Sequence, residues 1–184
     1  MSSLPEPREL TSSSARPSPI NMALEIAVIP VSNVDRAKQF YSTLGWRLDL
    51  DFKGDEDYRV IQFTPPGSGC SVIFGSNVTP ASPGSAQGLH LIVSDLASVR
   101  EELVRRGIDI SEPFHDVGGV FHHSNAKGIV SGLNPQRQSY ASYASFRDPD
   151  GNTWLLQEVT ARLAPGLKVG DPRFTSQVLK ALFG

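Results

Sequence analysis

Four histidines, His90, His115, His122 and His123, are the side chains best suited to acid–base or metal chemistry here. His90 stands in an alternating run, Leu89 to Val93, that reads as a strand. An imidazole there can serve as a general acid or base, or it can be a core histidine satisfied by a structural partner. His122 and His123 are adjacent. In an extended segment they point to opposite sides, so they do not chelate one ion together. One of them, with His115, could close over a cavity mouth, or all three sit exposed in a loop. Tyr140 and Tyr143 offer hydroxyls, with a core or interface role equally open. Arg59 and Gln62 fall on opposite faces of one strand, so only one points inward. Arg137 either anchors a loop or meets an anionic substrate. Cys70 is the one cysteine. It reads as a small core residue, because no base lies at a telling spacing, and it excludes an intramolecular disulfide or a cysteine metal cluster.

The elements that must position these groups come next. The stretch Gly88 to Gly107 reads as strand, cap, helix and stop: Asp95 caps, Leu96, Val99 and Leu103 recur at helical spacing, and Gly107 ends it. The same pattern occurs once before. Val31 to Trp46 aligns without a gap on Val93 to Ile108, matching Asn33 with Asp95, Tyr41 with Leu103 and Gly45 with Gly107. The chain therefore holds two copies of one supersecondary unit. Around the first helix (33–44), strands are predicted at 24–31, 46–52, 58–64 and 70–74. Around the second they are predicted at 89–93, 108–114, 140–146 and 153–159. The last pair forms a hairpin about Asp148-Pro149-Asp150-Gly151, whose residue types suit a type I turn.

This predicts an α+β domain at 22–160, with unit one at 24–75, a Pro/Ser/Gly linker at 76–87 and unit two at 88–160. Residues 1–21 are rich in Ser and Pro, lack a periodic apolar face, and predict a disordered extension. The segment 115–139 reads as a long irregular loop. The tail, 161–184, carries Phe174, Val178, Leu179 and Leu182 at helical spacing and predicts a short helix. The chain has 184 residues and a formal charge of −2, which suits one domain with a sizeable core. That charge makes no electrostatic case for nucleic acid or an anionic membrane. No apolar run approaches the ~20 residues of a membrane helix, and a cytoplasmic setting is expected.

Two βαβββ units, the Val-Ser-Asn/Asp helix start, the FYSTLGW helix end and FRDPDGNTWLLQEV together resemble the vicinal oxygen chelate superfamily. This is the glyoxalase/bleomycin-resistance/dioxygenase group, and the resemblance covers residues 24 to 160. It implies two tandem units, each curling into half of a barrel, with a cavity enclosed between halves. It also implies a divalent ion held by His, Gln or Glu from the first and last strand of each unit. In this sequence those positions fall on Ile26, on Val72 to Phe74, on Gly88 and on Leu155. None can bind such an ion, so neither metal nor other cofactor is expected. An error of two residues in strand register would recruit His90 and Gln157.

Since residues two apart share a strand face, His90 joins Gly88 and Gln157 joins Leu155. The expected cavity has one polar end (His90, Gln157) and one apolar wall (Ile26, Val28, Phe63, Val72, Phe74). Arg59 or Gln62, His115, His122, Tyr140, Tyr143 and Leu155 are further substrate-binding candidates. Glu158, out of phase with Leu155, is expected outside it. The expected activity is metal-free acid–base isomerisation, elimination or cyclisation of a small, partly apolar oxygenated molecule, with His90 and Gln157 catalytic. The alternatives are a non-catalytic small-molecule binding or resistance protein, favoured by a groove lined by aromatics such as Trp46 and Trp154, and a metal-dependent lyase or dioxygenase with shifted ligands. Members of such a family often pair, so a homodimer is expected.

Overall fold

The computed structural model describes residues 22–117, 128–161 and 175–178. The elements run in chain order β1 (Ile26–Val28), α1 (Val34–Thr43), β2 (Arg47–Lys53), β3 (Arg59–Thr64), β4 (Ser71–Ser76), β5 (Leu89–Val93), α2 (Leu96–Arg105), β6 (Phe114–Asp116), β7 (Ile129–Ser131), β8 (Ser142–Arg147) and β9 (Thr153–Glu158). They form two mixed sheets, ordered β1-β4-β3-β2 and β5-β9-β8-β6-β7. Each is a βαβββ unit, the second enlarged by β7. In both, the strand before the helix pairs in parallel with the last strand.

The helices form where local chemistry demands. Asn33 and Asp95 take extended backbone and accept the amide of the third residue onward, Arg36 at 2.9 Å and Ser98 at 3.1 Å. That satisfies an orphan donor at each N-terminus. Gly45 stops α1 at φ +79°, and a Cβ there would collide with the Arg106 guanidinium. Each helix buries one stripe against its sheet, Ala37 and Tyr41 in α1, Leu96 and Leu103 in α2.

The two units share one core. Tyr41 packs against Trp46, Phe74 and Trp154 at centroid distances of 5.2, 5.3 and 6.2 Å. Phe40 meets Phe146 at 6.2 Å. The Asp148–Asn152 turn locks the units together. Asp148 Oδ2 accepts from the Tyr41 hydroxyl (2.9 Å) and Asn152 Nδ2 (2.8 Å), while Asn152 also donates to the Pro30 carbonyl. Asp150 accepts from Ser32 and Arg36 beside the α1 cap. This turn is therefore a clasp between units, which its residue types alone do not reveal. Buried beside Asp148, the Tyr41 phenol is held well above its ordinary range, burial contributing most.

Two expectations on the elements are corrected. No continuous strand spans 108–114. Ile110 bridges Phe146 in isolation, and the Ser111 hydroxyl accepts the Ser145 amide where a ladder carbonyl would. Ladder pairing resumes only after Pro113, at β6. The segment 115–139 is not wholly irregular either, since β7 returns to pair antiparallel with β6. Residues 118–127, the N-terminal extension and most of the expected C-terminal helix lie outside the described residues. Residues 176–178 form one helical turn.

Candidate functional site

Each sheet has one face turned to the helices and core and one open face. In the second sheet Leu89, Leu91 and Val93 face the core together with Trp154, Leu156, Ala144 and Phe146. The open face follows by alternation and pairing. One rung holds His90, Leu155 and Ser145. The next holds Ile92, Gln157, Tyr143 and Phe114. A cleft of about 820 Å³ lies on this face, with His90, Leu155, Ser145, Phe114 and Ile129 among its walls and Arg147 and Asp109 also bordering it.

At the next rung the two central positions, Gln157 and Tyr143, are polar and buried. Gln157 is 9% exposed and Tyr143 fully buried. Gln157 Nε2 donates to the Tyr140 carbonyl at 2.8 Å and to the Tyr143 hydroxyl at 3.2 Å. The Tyr143 phenol is pushed up to about 12, first by burial and further by the Asp116 charge, against the bond from Gln157. Its ring stacks on Phe114 at 5.6 Å. A strap at 132–141 holds this rung in place. Arg137 and Tyr140 adopt the left-handed region, φ +49° and +71°, where bulky side chains are rare. Arg137 pairs with Glu158 (2.5 Å), and Glu158 Oε1 also accepts the Leu96 amide at the start of α2.

The first sheet's open face is different. One rung holds Val28, Ile73, Gln62 and Leu50, flanked by Ile26 and by Val60 with Phe52. Ile26, Val28, Leu50 and Phe52 are all exposed.

The residues expected from sequence are thus divided. Gly88, His90 and Leu155 meet at the cleft, with Gln157 and Tyr143 one rung away. Tyr140 reaches that rung through its backbone carbonyl. Ile26, Val28 and Gln62 lie on the open face of the other sheet. Phe63, Val72 and Phe74 do not line a cavity: they alternate onto the helix face and are core residues around Tyr41. Arg59 also points to the helix side, bound to Asp51 and Asp35, and these bonds hold the Asp51 carboxyl below its ordinary range. His115 is out of phase with Phe114, pairs opposite Ser142, and bonds through Nδ1 to the Gly132 carbonyl at 2.9 Å. Glu158 is indeed off the open face, and it is fully buried. Trp46 and Trp154 meet edge to face at 5.1 Å in the core, so no open groove is lined by the pair. His122 lies outside the described residues. Ser145 and Phe114 were missed, although extending the alternation from Tyr143 would have found Ser145.

Among the described residues, the positions where the resemblance implies a divalent ion offer it no ligand set. Ile26, Ile73, Gly88 and Leu155 carry no donor side chain. Among the described residues no three His, Cys, Asp or Glu side chains gather where one ion could bind. No helix among them is long and apolar enough to cross a membrane.

Comparison with known proteins gives this arrangement its context. The family model for the Glyoxalase/Bleomycin resistance protein/Dioxygenase superfamily matches residues 23–156. TnmS3, an antibiotic binding protein from Streptomyces sp. CB03234, is 27% identical over 77% of this chain and 99% of its own, with a TM-score of 0.54. A glyoxalase/bleomycin resistance protein from the same organism is 27% identical over 74% of this chain and all of its own, with a TM-score of 0.52. A superfamily member from Sphaerobacter thermophilus DSM 20745 is 27% identical over 75% of this chain and 98% of its own, with a TM-score of 0.55. No curated protein sequence gives a significant match.

Proposed function

The chain belongs to the glyoxalase/bleomycin resistance protein/dioxygenase superfamily, and from that premise we propose that it binds a small, partly apolar oxygenated molecule reversibly. The observation that carries this reading is the make-up of the second sheet's open face. Leu155, Phe114 and Ile129 supply apolar contact, while His90 and Ser145 supply a few placed polar groups. That mixture suits an organic guest. The likeness to an antibiotic-binding protein supports the same reading.

The cleft is open on one side, and the first sheet presents an unpartnered apolar face bearing Ile26, Val28, Leu50 and Phe52. A second copy that laid this face over the cleft would complete the cavity and bury both surfaces. The protein acts as a homodimer on this reading, with each ligand held between unlike units of two chains. Sedimentation velocity at micromolar concentration checks it: a dimer is expected, and a monomer overturns the shared cavity.

One observation favours a second reading, acid–base catalysis. His90 is an imidazole on the cleft wall, one strand removed from the Ser145 hydroxyl across Leu155. It could move a proton in an isomerisation, elimination or cyclisation. One experiment separates the two. The full chain is incubated with a panel of small oxygenated aromatic and alicyclic compounds, desalted rapidly, and the retained compounds are released and identified. Recovery unchanged supports binding. A product whose formation stops in His90→Ala supports catalysis. Retention of nothing overturns both.

A further inference from the structure

The orientation of one amide goes further than the reading above, on which it rests. Gln157 sits nine-tenths buried one rung beyond the His90–Leu155–Ser145 row, ~7 Å along the strand, on the rung that Phe114, a wall of the cleft, also occupies. A glutamine amide presents two donors on nitrogen and an acceptor on oxygen, and either end can face a ligand. Here the choice is made. The Tyr140 carbonyl has no proton to give, so the group 2.8 Å from it must be the Nε2 end. The second Nε2 proton points to the Tyr143 hydroxyl at 3.2 Å. Both donors are committed, and only the carbonyl Oε1 is left to offer.

The fold holds this choice with a strained backbone. Tyr140 keeps φ at +71° while its amide donates to the Glu158 carbonyl at 2.8 Å and its own carbonyl receives Gln157. Arg137, at φ +49°, ties the same strap to the buried Glu158 carboxylate. Two non-glycine residues in the left-handed region of one short strap are a cost that surrounding contacts must offset. Here the strap's contacts end on the residue beside Gln157.

We infer that Gln157 is a specificity-determining residue that accepts a hydrogen bond, so the ligand brings a hydroxyl, phenol or N–H donor to this end of the cleft. A ligand presenting only a carbonyl or an ether oxygen there would set acceptor against acceptor, leaving Oε1 desolvated and unpaired.

The test uses three matched probes on the full wild-type chain: 4-phenylphenol, 4-methoxybiphenyl and 4-acetylbiphenyl. The phenol is expected to bind about tenfold more tightly than the ether or the ketone. In Gln157→Leu that advantage is expected to shrink to about twofold. A ketone that binds as tightly as the phenol, or a phenol preference that survives Gln157→Leu, overturns the inference. Three equal affinities overturn the donor rule and leave the binding site standing, whereas no binding by any probe counts against the cleft as well. Side-chain amide NMR of the unliganded wild type decides the lock separately, even if the leucine variant fails to fold. Both Gln157 Nε2 protons should exchange slowly, with one speeding up in Tyr143→Phe. Fast exchange of either in the wild type contradicts the lock.

Discussion

The two units are built alike on the side that faces the core and unlike on the side that faces out. Ala27 pairs with Val72 in unit one as Leu89 pairs with Trp154 in unit two, and all four face the core. One step along each strand the likeness ends. The open rung of unit one is Val28, Ile73, Gln62 and Leu50. The corresponding rung of unit two is His90, Leu155 and Ser145. The helix side is constrained by packing, where a lost methylene is felt at once. The open rungs diverge in chemistry: His90 and Ser145 flank Leu155 in unit two, where unit one has Gln62 among Val28, Ile73 and Leu50.

The largest effects should come from the shared core. Trp154→Ala is expected to cost about 3–5 kcal/mol in urea unfolding, and its unit-one counterpart Val72→Ala about 1–2 kcal/mol. Equal costs would mean that Trp154 contributes no more packing than Val72. Next comes the strap, which unit one lacks. Arg137→Ala leaves the buried Glu158 carboxylate without its partner and should cost about 2–3 kcal/mol, a buried-pair value reduced because Arg137 is half exposed. Ser76 occupies the position of Glu158 in unit one and is exposed. Ser76→Ala should change stability by less than about 0.5 kcal/mol.

The open faces should respond in binding rather than stability. His90→Ala is expected to weaken 4-phenylphenol about tenfold and leave the unfolding midpoint nearly unchanged. Val28→Asp, on the wall that a second copy is proposed to supply, should dissociate the proposed dimer in sedimentation while the monomer stays folded. A dimer that persists would break the pairing of unlike faces. The mildest effect is alkaline. Tyr143 ionises at about 12 in the folded chain, and an unfolded tyrosine near ~10. Between those values the native state keeps a proton that the unfolded chain has lost. Stability should therefore be full below about pH 10 and decline as pH rises towards 12. Tyr143→Phe should blunt that decline in a pH series of unfolding curves.

What was legible in the sequence was local. The Asn33 and Asp95 caps, the Gly45 and Gly107 stops and the buried helix stripes each depend on residues within one or two turns. Strand alternation also sufficed to put His90 with Gly88 and Gln157 with Leu155. Phase errors followed wherever a strand boundary or its pairing was set from afar. Phe63, Val72 and Phe74 are expected at the cavity, but the pairing of Val28 with Ile73 and of Ile73 with Gln62 puts them one step out of phase, on the core face. The β6–β7 pairing, the clasp of Asp148 on Tyr41 and the burial of Glu158 join distant segments that no periodicity links. The orientation of the Gln157 amide depends on a Tyr140 carbonyl placed by a strained strap, which residue types alone do not encode.

On the proposed reading, two unlike open faces, one from each of two chains, enclose one small molecule. It is tested most directly by isotope-filtered NOEs between bound 4-phenylphenol and isoleucine methyl groups. The measurement uses mixed dimers in which one copy carries labelled methyls and a His90→Ala cleft, and the other is unlabelled wild type. The account predicts ligand contacts to Ile26 and Ile73 of the labelled copy while the ligand sits in its partner's cleft. Contacts confined to Ile129, with none to Ile26 or Ile73, would contradict it.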